Sequence, residues 1–239
     1  MAVAPTESAA ALEAELDAMV NRQFETPEFT ELFALRFTLP RARLLIISMA
    51  QYVCNRRDCW AYVQGGAPLD VKRIIWEHER EELVFDPRAG MDHYTLALRE
   101  AQVLGLTPED FDSAEPIPGA RAAFYAWIHL AKSLPWIEGI TASSILERRN
   151  SDAVVKGGGF SFRVRQKLVG DLGIPEAQLI NQNVHVEADQ EHPALLGGVL
   201  ERYAAAPDTR SAVLRAARES LEIDRAFRGA QAQAMARLG

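Results

Sequence analysis

Apolar residues recur three and four positions apart along nearly the whole chain, and few stretches alternate residue by residue. That period places side chains on one stripe of a helix, and each stripe must be buried against another helix. The sequence therefore predicts an all-α protein. Its helices are punctuated by recognisable signals. Thr26-Pro27-Glu28 and Thr107-Pro108-Glu109-Asp110 each set a hydroxyl before a proline, with acidic residues next to meet the helix dipole, and mark the starts of short helices. A first helix is expected from Thr6 or Ser8 to about Gln23, burying Leu12, Leu16 and Met19. Pro40 to Tyr62 reads as the most apolar long helix, ended by Gly65-Gly66, and Leu69 to Val84 as the next, ended by Asp86-Pro87-Arg88-Ala89-Gly90. Further helices are expected over 93–104, 119–134, 135–149, 160–172, 182–205 and 208–238.

The chain has 239 residues, 48% of them apolar and 25% charged, enough for one substantial core, so residues 1–239 read as a single domain. A net charge of -7 with no basic stripe argues against nucleic acid as the main partner. The longest largely apolar run, Leu44 to Ala50, is far short of the ~20 residues that span a bilayer. Glu7, Glu13, Glu15 and Asp17 stand where a signal peptide would need a basic start and an apolar stretch. Cys54 and Cys59 form neither a disulfide framework nor a CxxC pair, and a cytoplasmic location is expected. Cys54 reads as packing, with nucleophile as its alternative.

The chemically informative stretch is Asn183-Val-His-Val-Glu-Ala-Asp-Gln-Glu-His192, because His185, Asp189 and His192 fall at i, i+4 and i+7. At about 100° per residue these return to within ~40° of one direction, so two imidazoles and a carboxylate share a helix face. Imidazole nitrogen and carboxylate oxygen suit iron and manganese, and no thiolate is in place to favour zinc or copper. Pro193 disfavours helical geometry at His192, and a kink is expected there. His93 opens a later-used helix directly after the acidic run holding Glu77, Glu79, Glu81 and Glu82. A two-metal site needs carboxylates from several helices, and Glu147 ends an otherwise inward-facing pattern through Ile145 and Leu146. Gly157-Gly158-Gly159 has no preceding strand and no Lys-Ser/Thr, so it reads as a helix connection and not a phosphate cradle.

These residues resemble the haem-oxygenase-like diiron oxidases and oxygenases. Members carry a Glu, a His at the head of a helix ending in Leu-Gly, a further Glu, and then H-x3-D-x2-H. The matching residues here are Glu79, His93, Glu147, His185, Asp189 and His192. Glu79 lies four residues after Ile75, on an inward face; Glu82, one turn further along that face, is its alternative or an additional ligand, and Glu77 of the same run is also open. The resemblance implies a seven-helix bundle with short extra N-terminal helices, binding two Fe(II) ions and using O2 as cosubstrate. It implies oxidation of a small molecule, with an amino acid or amino-acid-like substrate favoured, by N-oxygenation or by oxidative C–C cleavage such as decarboxylation or nitrile formation. A homodimer is the expected assembly, with no membrane or nucleic-acid partner.

Among the aromatic residues, Trp60, Trp76, Tyr94, Phe124, Trp127 and Trp136 are candidates for a pocket wall, though helical spacing favours core. Arg148, Arg149, Lys156, Arg163 and Arg165 cluster around the glycine run; a solvated basic face is the favoured reading, and pairing with a substrate carboxylate the other. His78 and His129 read as structural. The alternatives to an oxygenase are a metal-free thiaminase-like or pyrroloquinoline-quinone-synthase-like enzyme, in which Cys54 would matter, and a non-catalytic helical binding protein.

Overall fold

The computed structural model describes residues 7–188 and 192–239, with side chains described for 9–186 and 197–239. Twelve α-helices account for most of them: α1 (Glu7–Gln23), α2 (Pro27–Ala34), α3 (Leu39–Gly66), α4 (Leu69–Leu83), α5 (His93–Ala101), α6 (Pro108–Ser113), α7 (Pro118–Ser133), α8 (Trp136–Asn150), α9 (Phe160–Leu172), α10 (Ile180–Ala188), α11 (His192–Tyr203) and α12 (Pro207–Ala236). No strand occurs among the described residues; a single bridge joins Asp86 to Met91. None of the described helices is long and apolar enough to cross a membrane.

The expected starts are seen. Thr26 and Thr107 precede the prolines that open α2 and α6, and at α6 Thr107 and Asp110 form a reciprocal capping box. Asp92 caps α5 by accepting the Thr95 amide at 2.8 Å, which sets His93 as the first residue of that helix. The main departure lies in 182–205, expected as one helix. The chain instead forms α10, which begins at Ile180, and α11, which begins at His192. Pro193 is then the second residue of α11, where a missing backbone N–H has no intrahelical partner to lose. Asp189 lies between them, outside the described residues.

Helix α12 packs along α8, α7 and α2, and α3 packs along α7 and α8, giving a four-helix centre. One contiguous cluster fills it, including Leu16 from α1, Phe29 from α2, Leu45 from α3, Trp127 from α7, Ile145 from α8 and Phe227 from α12. Trp127 meets Tyr52 and Phe227 edge-on, at 5.4 and 6.0 Å between ring centres, and its indole N–H donates to Ser220 Oγ at 3.1 Å. Helices α4, α5, α9 and α10 close the flank of this centre: α5 touches α3, α4 and α10, and α9 packs on α10. The outward face of α4 leaves Leu69, Trp76 and Leu83 exposed.

The glycine run is a tight turn into α9. Gly157 and Gly158 have φ of +80° and +93°, a region that side chains rarely adopt. At Gly159 a Cβ would lie 1.8 Å from the carbonyl oxygen of Asn150, so only glycine lets the chain turn back against the end of α8.

Candidate metal centre and its cavity

Helix α4 turns one face inward through Val71, Ile75, His78 and Glu82, with Glu79 on the flank of that face. Glu82 is the buried carboxylate. Its Oε1 lies 3.0 Å from His93 Nδ1, and its Oε2 lies 2.7 Å from Arg57 Nη1. Glu79 Oε1 lies 3.4 Å from the same Arg57 nitrogen and 3.0 Å from His78 Nδ1. Glu147 of α8, half-buried, adds to the negative field on Arg57 after Glu82 and Glu79. Burial alone would raise the Glu82 carboxyl, yet Arg57 and His93 hold it well below the usual carboxylate range.

His93 is gripped on both sides. Glu82 faces its Nδ1, while Nε2 lies 2.7 Å from Asp86 Oδ2 in the turn after α4. Asp86 is itself fully buried and takes bonds from the Arg88 backbone and guanidinium at 2.8, 3.0 and 3.1 Å. Burial would lower the His93 imidazole, but Glu82 and then Asp86 outweigh it and push its pKa up to about 9. Across from it stands His185 of α10, with ring centres 4.7 Å apart and planes at 72°. The structure thus brings Glu79, Glu82, Glu147 and Arg57 into one electrostatic group that reaches His93 and, through it, His185. Asp189, and the side chain of His192, lie outside the described residues.

Among the described residues, no three His, Cys, Asp or Glu side chains are already gathered in a way that would hold a metal ion. Their donors are turned on one another and on Arg57. The group is nonetheless matched to a cation, because the buried Glu82 and the part-buried Glu79 already pair with one, and two imidazoles stand beside them.

Both histidines border a cavity of about 70 Å³. Ile46, Met49, Ala50 and Val53 of α3 form its apolar wall, with Tyr94 and Phe160 adding aromatic surface. Its charged lining, besides the histidines, is buried. Arg149 and Arg228 are each 1% exposed and share one carboxylate, Asp224, at 3.2 and 3.1 Å; Gln23 donates to the same group at 2.9 Å. Arg149 Nη1 makes no hydrogen bond among the described residues. Burial pushes the Arg228 pKa down to about 10, against the pull of Asp224 and with a smaller push from Arg149. Glu100 of α5 also faces the cavity, accepting from the Gln182 amide at 2.9 Å and its side chain at 3.3 Å, and burial raises its pKa to about 7.

Several sequence readings change. Arg148 and Arg149 are 3% and 1% exposed, not part of a solvated basic face, because α8 is packed on all sides and Asp17 and Asp224 neutralise them there. Arg163 stacks over Phe24 and Arg165 bonds Asn183 at 3.0 Å. Trp60 and Trp127 belong to the core, Trp76 is exposed, and Tyr94 is the candidate aromatic that lines the cavity. Cys54, placed on a buried pattern by its spacing, is exposed, and Cys59 is the buried thiol. His78 is buried against Trp60, at 5.0 Å between ring centres. Sequence reasoning missed Arg57, Asp86, Glu100 and Arg228. Glu100 could have been found, since it lies two turns after His93 on the same face; Arg57 had only the oddity of a charged pair, Arg56-Arg57, inside an apolar helix.

Residues 43–225 match the model of a family described as iron-containing redox enzymes of the haem-oxygenase type. No curated protein gives a significant match. Among solved structures, the chain is similar to a domain of unknown function with a haem-oxygenase-like fold from Shewanella denitrificans, with TM-score 0.74 and 14% identity, covering 96% of this chain and 92% of that one. It is similar to a CADD-like protein of unknown function from Nostoc punctiforme, with TM-score 0.72 and 15% identity over 96% and 99%. A TenA homologue from P. horikoshii aligns with TM-score 0.63 and 16% identity over 96% and 98%. At such identities these likenesses establish the fold.

Proposed function

The chain belongs to the haem-oxygenase-like family of iron-containing redox enzymes, and from that membership we propose that it is a non-haem diiron enzyme that uses O2 to oxidise a small, amino-acid-like molecule. The observation that carries the reading is the pairing of His93 and His185, residues far apart in the chain, at 4.7 Å beside the shared carboxylates and on the wall of one cavity. Glu79, His93, Glu147, His185, Asp189 and His192 are the proposed ligands, with Glu82 alternative or additional. Two Fe(II) ions bound there would supply the electrons for reducing O2.

The chain's own residues account for the rest. Arg149 offers an unbonded guanidinium N–H for a carboxylate, while Glu100 offers an acceptor for an ammonium group. The Ile46, Met49 and Val53 wall holds an aliphatic side chain and excludes water. N-oxygenation or oxidative C–C cleavage, including decarboxylation or nitrile formation, are the reaction types proposed. An oxygen electrode tests the reading. Protein reconstituted with Fe(II) should consume oxygen faster with at least one member of a panel of aliphatic and aromatic amino acids, and metal-free protein should not. Uptake no greater than that of free Fe(II) with every member would contradict it.

A metal-free, thiaminase-like reading is favoured by one finding, the likeness to TenA homologues. It needs an activated thiol, whereas burial and Asp58 push the Cys54 thiol up, away from the nucleophilic thiolate. Activity abolished in Cys54→Ala and indifferent to chelators would turn the assignment to that reading.

A further inference from the structure

Arg57 projects from the middle of α3 with only 11% of its side chain exposed, and it meets carboxylates that the function reading assigns to metal. Its Nη1 is 2.7 Å from Glu82 and 3.4 Å from Glu79, and Glu147 acts on it from α8. We propose that Arg57 is a built-in counter-cation that fills the carboxylate cluster of the metal-free protein and is displaced when metal enters, so that it sets how tightly the centre loads. The inference rests on the reading of Glu79, Glu82 and Glu147 as metal ligands.

Charge and donor geometry both lead there. The buried Glu82 and the part-buried Glu79 repel one another unless a cation stands beside them, and without metal the guanidinium is that cation. Both oxygens of Glu82 are engaged, one by Arg57 and one by His93, and Glu79 Oε1 is divided between Arg57 and His78. A metal ion bonds carboxylate oxygen at roughly 2.0–2.2 Å, inside the space the guanidinium takes up. With two Fe(II) ions present, the metal charge already exceeds that of Glu79, Glu82 and Glu147, and a guanidinium left among them would be a surplus buried cation. A fixed supporting role predicts the opposite result: if Arg57 held the carboxylates ready for metal, its removal would weaken binding.

The experiment is Fe(II) affinity, measured anaerobically by competition with a colorimetric chelator, for wild type, Arg57→Gln, Arg57→Lys and His185→Ala. Arg57→Gln should bind Fe(II) at least tenfold more tightly than wild type and melt at a lower temperature without metal. Arg57→Lys, whose ammonium reaches fewer oxygens, should fall between them. If Arg57→Gln folds only with Fe(II), that dependence supports displacement; if it does not fold at all, Arg57→Lys binding no tighter than wild type overturns the inference. Folded Arg57→Gln binding equally or more weakly overturns it too, while wild type that binds metal and His185→Ala that does not leave the metal reading standing. Wild type that binds no Fe(II) removes the metal reading itself.

Discussion

Glu100 should make the metal-free protein lose stability as pH rises through the range where most carboxylates are already ionised. It is 5% exposed in the cavity, and its bonds from Gln182 compensate only part of the cost of charging it there. Its pKa is raised from 4.5 to about 7, and each unit corresponds to about 1.36 kcal/mol. Below pH 4.5 the group is protonated in both folded and unfolded chains and has no effect. Between pH 4.5 and 7 the unfolded chain has released the proton while the folded chain retains it, so unfolding gains ground as pH rises. Above pH 7 both states are ionised and the loss levels off at about 3 kcal/mol. Glu100→Gln keeps the shape and an acceptor for Gln182 but cannot ionise. Urea unfolding of metal-free wild type and Glu100→Gln at pH 5 and pH 8 isolates this term, because all other groups titrate in both proteins. The variant should gain stability relative to wild type at pH 8 and little at pH 5. An equal difference at the two pH values would refute the reasoning.

Metal uptake should strengthen with pH well beyond the ordinary imidazole range, since His93 must shed a proton held to about pH 9 by Glu82 and Asp86. Fe(II) affinity measured anaerobically should rise about tenfold per unit between pH 6.5 and 8.5; a plateau from pH 7 would contradict this. Trp127→Ala removes a side chain 1% exposed that packs on Tyr52 and Phe227, and should cost about 3–5 kcal/mol in chemical denaturation. Gly159→Ala, which drives a Cβ into the Asn150 carbonyl, should lower the unfolding free energy, whereas Gly170→Ala near the end of α9, with nothing within 4 Å, should raise it by about 0.5–1 kcal/mol.

The helical frame was legible in the sequence because it follows from local signals: a hydroxyl before proline opens α2 and α6, and an apolar period runs along α3 and α12 despite the buried Arg56, Asp224 and Arg228. The split between α10 and α11 was read as a kink, since periodicity carries across a short break that preserves the stripe. His93 was legible as well, through its position after an acidic helix; His185 was singled out by its spacing with Asp189 and His192 on one helix face, a face that the break between α10 and α11 does not carry through to His192. What surrounds it was not. Spacing makes Glu79 and Glu82 near equivalents, and the depth of each depends on how α4 rolls against α3, a tertiary matter. Arg57 and Arg149 sit in sequence runs that look like solvated charge. Only the partners brought by α4, α8 and α12 make their burial tolerable.

The central claim is that this bundle loads two irons on the side chains around His93 and His185. Fe(II) added without oxygen to metal-free protein, with bound iron counted after removal of excess, tests it most directly. About two irons per chain, falling below one in His185→Ala, is the predicted result. Correctly folded protein that retains no iron, or binding unchanged in His185→Ala, would contradict it.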